Sequence, residues 1–216
     1  MYKLKIFVKK LITSWIGLFI WTSLLYNIGW RHFYIPSASM SPTLAVGDIY
    51  IANMHTYGLN TPTLYGMKIF GEERQIFKIA DPKSGDIVVF TNPETKDLYV
   101  KRVFAVSGDV VTIKSNNTFF RNGIEVNEPY AKINNGDQSQ FNNQLKQFLK
   151  GDSFSMELSN NTKEFTYRVG YGEFFLLGDN RDNSFDSRFF GPIKSSSILG
   201  KASITLLSKK GIHKLN

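Results

Sequence analysis

Residues 85–114 read GDIVVFTNPETKDLYVKRVFAVSGDVVTIK, and their texture settles the fold class. Three apolar runs, GDIVVF (85–90), LYVKRVFAV (98–106) and DVVTIK (109–114), are rich in β-branched and aromatic residues and are separated by Gly, Pro, Asp and Asn. Runs this short with such boundaries read as strands, not helices. The same texture continues on both sides, in TFFRNGIEV (118–126), EFTYRVGY (164–171), EFFLLGD (173–179) and ILGKASITLL (198–207). Asn122-Gly123, set between two apolar segments, is a two-residue hairpin signal. The expectation is a mostly β, antiparallel domain without a long amphipathic helix.

The N-terminus breaks this pattern. Leu11 to Trp30, LITSWIGLFIWTSLLYNIGW, is twenty residues without a charge, long enough at about 1.5 Å per residue to cross a hydrocarbon core of about 30 Å. Four lysines precede it and only Arg31 lies within the next twenty residues, so charge bias predicts a cytoplasmic N-terminus and the rest outside. The expected organisation is a basic cytoplasmic segment 1–10, a transmembrane helix 11–30 and an extracytoplasmic β domain 33–216. Two alternatives are a cleavable signal peptide, with Ser37-Ala38-Ser39 supplying small residues at its −3 and −1 positions, and a buried core helix. The first needs a shorter apolar run and the second a polar face.

Within the β domain, residues 131–163 are rich in Asn, Gln, Ser and Lys and read as a polar surface insertion. Thr56–Glu73 is loop-like but carries apolar residues suited to lining a groove or touching lipid. The 216 residues carry a net charge of +8, which on its own suggests a polyanionic partner. Residues 1–32 and 188–216 contain basic groups and no acid, while 33–187 holds all 18 acidic residues and balances at −3; no nucleic acid is expected. The acid-free C-terminal tail suits anionic lipid headgroups. With no cysteine and three scattered histidines, neither a disulfide, a metal site nor a cofactor is expected.

Three polar clusters remain. Ile35–Leu44, IPSASMSPTL, packs serines between two prolines, either as a stiff linker or as a turn that holds a hydroxyl exposed. Lys101 interrupts an apolar run. Alternation puts it on one face with Val103 and Ala105 and opposite Val100 and Arg102, either as an edge-strand lysine that blocks aggregation or as a buried amine whose lowered pKa lets it serve as a base. Gly178–Arg188, GDNRDNSFDSR, follows a strand. It reads as a charge network in which Asp186 pairs with Arg181 or Arg188, since the arginines oppose a calcium loop.

In this order and behind an apolar anchor, PSASMSPTL (36–44) with GDIYIAN (47–53), SGDIVVF (84–90), YVKRV (99–103), SGD (107–109) and LLGDNRDNSFDSRFFGPI (176–193) resemble the bacterial type I signal peptidases, Ser–Lys dyad membrane proteases. The resemblance covers roughly half of the chain and implies an antiparallel β-sheet catalytic domain of signal peptidase type. It implies Ser39 as nucleophile and Lys101 as general base, Ser37 as oxyanion-hole hydroxyl, Ser184 as the serine orienting the amine, and Asp186 with Arg181 as support. Met40, Tyr99 and Phe90 are the candidates for the substrate groove wall. It further implies exported preproteins with small residues at −3 and −1 as substrates, membrane lipid as a partner, a single-pass monomer in the bacterial inner membrane, and removal of signal peptides; a dedicated peptidase of a conjugation or pilus system shares the same motifs. Ala38 stands where the family usually has Gly, and Ser41 where many members have Met. Ser37-Ala38-Ser39 itself resembles a cleavage site, so self-processing there would remove the nucleophile.

Overall fold

The computed structural model describes residues 14–61, 63–64, 67–68, 71–114, 118–133, 157–159 and 164–215, with Lys5, Lys9 and Lys10. The first element is helix α1, Trp15–Ile28, 14 residues capped by the Ser14 hydroxyl, which accepts from Gly17 N at 3.1 Å. Such a helix is about 21 Å long, and no helix among the described residues is long and apolar enough to cross a membrane. Residues 11–13 lie outside the described residues. The helix stops at Gly29, and Trp30 opens strand β1 (Trp30–Tyr34) instead of closing the helix.

The remaining strands are β2 (Ile49–Asn53), β3 (Gly58–Asn60), β4 (Thr63–Leu64), β5 (Met67–Lys68), β6 (Gln75–Lys78), β7 (Ile87–Thr91), β8 (Leu98–Ala105), β9 (Val110–Lys114), β10 (Phe119–Arg121), β11 (Ile124–Glu125), β12 (Glu157–Ser159), β13 (Glu164–Arg168), β14 (Glu173–Leu177), β15 (Ile193–Lys194), β16 (Ile198–Leu207) and β17 (His213–Lys214). All pair antiparallel. The larger sheet runs β1-β2-β16-β7-β8-β14-β15 with β17 on β16; the second runs β11-β10-β9-β13-β12. The mostly β, antiparallel expectation therefore holds. Asn122 and Gly123 both take positive φ, 55° and 79°, between β10 and β11, the two-residue hairpin turn their sequence predicts.

Strand β7 shows why its sequence is a continuous apolar run. Ile87 and Val89 enter one core with Ile35, Met40, Leu44 and Tyr50, while Val88 and Phe90 enter another with Val103, Phe174 and Leu176. A strand buried on both faces has no polar face to alternate with. Strand β14 does the same, sending Phe175 and Leu177 into a third core with Phe104, Val111 and Phe165.

One segment departs from its loop-like reading. Thr56–Glu73 is not simply loop: β3 pairs β6 and β4 pairs β5 as two short ribbons. The C-terminal tail folds back, with β17 on β16 and Leu215 buried. The proposed insertion 131–163 begins inside the packed body, since Lys132 bridges Asn180; most of its length lies outside the described residues.

Candidate active site

The serine cluster closes into one 3-10 turn, Ala38–Met40, with Ser37 before it. Met40 and Leu44 are wholly buried and are tied by Leu44 N donating to Met40 O at 2.9 Å. Apolar anchors on the downstream side thus hold the turn against the sheet while Ser39 stays half-buried at its surface.

Lys101 comes to the same point from β8. There β7 pairs it through Val88, but β14 stops one residue earlier, at Leu177 opposite Arg102. Just before that, the β8–β14 register shifts between Phe175 and Leu176; such irregularities re-aim side chains near sites. The amine is 3% exposed and donates to Ser39 Oγ at 2.8 Å and to Val100 O at 3.1 Å. Burial lowers its pKa from the ordinary 10.5 to about 8; the Asp186 and Asp179 carboxylates oppose the shift and Arg188 reinforces it. Ser37 Oγ lies 3.3 Å from Ser39 Oγ. Of the two readings of Lys101, the buried amine is the one observed.

The 178–188 loop packs beneath this pair. Asp186 is wholly buried, caps helix α2 (Ser187–Phe190), takes two hydrogen bonds from the Arg188 guanidinium at 2.8 and 2.9 Å, and accepts from Gly178 N at 3.0 Å. Burial alone would raise its pKa, but Arg188 and these hydrogen bonds outweigh it and hold the carboxyl below its usual value. The expected alternative partner, Arg181, is not used here. Arg181 is buried against Glu128, NH1 to Oε2 at 2.6 Å, and its Nε donates to Gly178 O at 3.0 Å. Ser184 is buried beside Asp186 but receives no hydrogen bond from Lys101, whose bonds go to Ser39 and Val100. A Cβ at Gly178 would collide with Ser184 and with the Ser39 carbonyl oxygen, 2.5 Å away, so only glycine lets the loop approach this closely.

Several residues of the site escape the sequence reading. Arg102, expected on the face opposite Lys101, does point away, yet it is buried and bidentate to Asp179, Nε to Oδ1 at 2.9 Å and NH2 to Oδ2 at 2.8 Å. Thr43, four residues after the nucleophile candidate, donates to the same Asp179 at 2.5 Å. Asn180 grips the serine turn, its N donating to Ser39 O at 3.0 Å and Nδ2 to Ala38 O at 3.1 Å. The mixed Asp and Arg of 178–188 was the available signal for the ion pairs; nothing in the local sequence marks Asn180.

A cleft of about 420 Å³ opens over Ser39 and Lys101, walled by Phe33, Ile35, Tyr50, Tyr99, Met40 and Phe185. Tyr99 and Met40 are at this wall. Phe90 is not: it is wholly buried and lies behind Tyr99, ring centroids 6.1 Å apart, because β7 buries both of its faces.

Signal peptidase I of Pseudomonas fluorescens is 33% identical over 79% of this chain and 62% of its own length, so the chain spans less than two thirds of that relative. Signal peptidase I of Helicobacter pylori (strain J99) is 30% identical over 87% of this chain and 78% of its own length. A solved signal peptidase I from Enterococcus faecalis V583 is 27% identical, covers 57% of this chain and 97% of its own, and has a TM-score of 0.39. The family described as signal peptidase, peptidase S26, matches residues 8–207. That match takes in every residue gathered at the cleft, and the chain belongs to the signal peptidase family, peptidase S26.

Proposed function

We propose that the protein is a membrane-anchored serine endopeptidase that removes N-terminal signal peptides from exported preproteins. The observation that carries this reading is the 2.8 Å hydrogen bond between Lys101 Nζ and Ser39 Oγ, made by an amine buried enough to be partly neutral near pH 7.

Neutral Lys101 takes the Ser39 proton as Oγ attacks the scissile carbonyl. The oxyanion is met by the Ser37 hydroxyl and the Ser39 backbone N–H. Lys101 then gives its proton to the leaving amine, and a water activated by the same amine releases the acyl enzyme. Ser37 Oγ at 3.3 Å from Ser39 Oγ supports the oxyanion role. Asp186 and Arg181 support the loop, through Arg188 and Glu128 respectively, and Ser184 packs against Gly178 in the same loop.

The substrate enters as an extended strand. On the side of β8 where β14 ends, residues Leu98–Lys101 have no strand partner among the described residues, and an open edge binds an extended chain through backbone hydrogen bonds. Tyr99 and Met40 shape shallow pockets for the small −3 and −1 side chains. The apolar segment that precedes β1 anchors the enzyme in the bacterial inner membrane, N-terminus inside and the β domain outside, in position to meet a translocated signal sequence. Cleavage of a model preprotein by the purified full chain in detergent tests this: wild type converts it, Ser39→Ala and Lys101→Ala do not. Parental cleavage by Lys101→Ala would refute the dyad.

A further inference from the structure

Residues Glu128–Lys132 make no hydrogen bond or ion pair with Ser39 or Lys101, yet two of them reach the loop beneath the cleft and a third reaches Arg102 on β8. Glu128 holds Arg181, and the Tyr130 hydroxyl donates to Glu128 Oε1 at 2.8 Å. The Tyr130 ring covers the Arg102 guanidinium, 3.9 Å from carbon to centroid. The Lys132 backbone runs parallel to the loop: its N donates to Asp179 O at 2.7 Å, and Arg181 N donates to Lys132 O at 3.0 Å. The residue enclosed by those two bonds is Asn180, which grips the carbonyls of Ala38 and Ser39. A chain of contacts therefore runs from Tyr130 and Lys132 through Arg102, Asp179 and Asn180 to the nucleophile turn.

We propose that Glu128–Lys132 is a positioning strap: it holds Arg102 and Arg181 in place, and through them it fixes Asn180 on the Ser39 turn and keeps the Asp179 carboxylate paired. In its kinetic arm the proposal rests on the Ser39–Lys101 reading.

The physical consequence lies at Lys101. The charged groups acting on its amine are the carboxylates of Asp186 and Asp179, which favour the ammonium, and the Arg188 guanidinium, which disfavours it; the Tyr99 ring lies 5.7 Å away. Arg102 is the counter-ion of Asp179. An aromatic face over a guanidinium attracts the cation and shields its ion pair from water. Without that face Arg102 is held less firmly, Asp179 faces Lys101 less compensated, and the amine titrates higher. Loss of packing alone would lower the amount of folded protein without moving that titration.

The test follows the Lys101 ε-carbon by NMR across about pH 6 to 11 in the full chain, labelled with 13Cε-lysine in detergent and assigned by Lys101→Met. Wild type, Tyr130→Leu and Tyr130→Phe are compared, with kcat and KM on a model preprotein measured beside them. Tyr130→Leu is expected to raise the titration by about half a pH unit or more and to lower kcat about 10-fold near pH 7, with KM within about twofold. Tyr130→Phe, which keeps the ring, returns both toward wild type. If Tyr130→Leu does not fold, Tyr130→Met, which fills the space without an aromatic face, is read in the same way. A Lys101 titration coincident with wild type in a folded aliphatic variant overturns the strap, as does an aromatic variant no better than the aliphatic one. A wild type that cleaves nothing while the titration still moves leaves the strap standing and refutes the signal-peptide reading instead.

Discussion

Replacing Lys101 by Met should abolish cleavage and yet stabilise the protein at neutral pH. The amine titrates at about 8 in the folded chain and at its ordinary 10.5 when unfolded. Below pH 8 the folded protein carries a buried ammonium, and holding it there costs about 3 kcal/mol at 1.36 kcal/mol per pH unit. Between 8 and 10.5 the unfolded chain binds the extra proton, so the stability of wild type rises with pH through that window and the cost vanishes above it. Methionine carries no such cost. It also loses the hydrogen bonds to Ser39 and Val100, roughly 1 kcal/mol each, but that loss is the same at every pH. The stability advantage of Lys101→Met over wild type should therefore shrink by about 2.5 kcal/mol between about pH 7 and pH 10, whatever its absolute value. Denaturant unfolding in detergent at intervals across that range measures it. A gap that stays constant with pH would show that Lys101 is not held as a depressed amine and would remove the physical basis for its role as base.

Four further outcomes follow from the same geometry. The rate of preprotein cleavage should climb with pH to a half-maximum near 8, since only about a tenth of the amine is neutral at pH 7; a flat profile from about pH 6 to 9 would refute this. Ser37→Ala should retain residual activity, losing about 10²–10³-fold in kcat, whereas Ser39→Ala should retain none. Gly178→Ala should cost activity even where the protein folds, because its methyl displaces the Ser39 carbonyl or Ser184; full activity would mean that the loop approach is not required. Arg188→Ala strands the buried Asp186 carboxylate and should destabilise by about 3–5 kcal/mol, read as a lowered unfolding midpoint near pH 7.

The β architecture was legible because its signals are local. Asn122-Gly123 announces its own turn, and the runs in 85–114 and 164–179 are short, branched and bounded by turn residues. What was not legible depends on partners distant in the chain. Nothing near Arg181 says that its carboxylate is Glu128, and Asp186 beside Arg188 in sequence gives no hint that Arg181 turns elsewhere. Arg102 could be placed only on the face opposite Lys101, because alternation identifies a face but not what covers it; Asp179, Thr43 and Tyr130 cover it. Phe90 failed as a groove residue for the same reason that β7 was easy to recognise: a strand buried on both faces offers no side chain to a cleft. The ribbons in 56–78 were missed because strands of two to four residues carry too few alternations to register.

The composition of the loop beneath the cleft follows from what Lys101 requires. In the proposed mechanism a carboxylate near the amine is unfavourable because Lys101 acts as a base only when neutral, yet Asp179 and Asp186 both lie close enough to raise its pKa. Asp186 is there for the backbone, since it caps α2 and accepts from Gly178 N, while Asp179 accepts from the Thr43 hydroxyl and so ties down the segment that follows the proposed nucleophile. Each is then matched by a guanidinium, Arg188 for Asp186 and Arg102 for Asp179, in two-bond geometry. With the pairs balanced, burial remains the dominant influence on the amine and carries it down to about 8. Lysine could not replace either arginine. It would present a single point charge where the fork binds both carboxylate oxygens, and, buried in the same cluster, it would itself be driven toward neutrality and leave its carboxylate to act on Lys101. Besides stabilising the loop, the arginines are therefore the condition under which a loop built from aspartates can sit against a lysine whose pKa is held down to about 8.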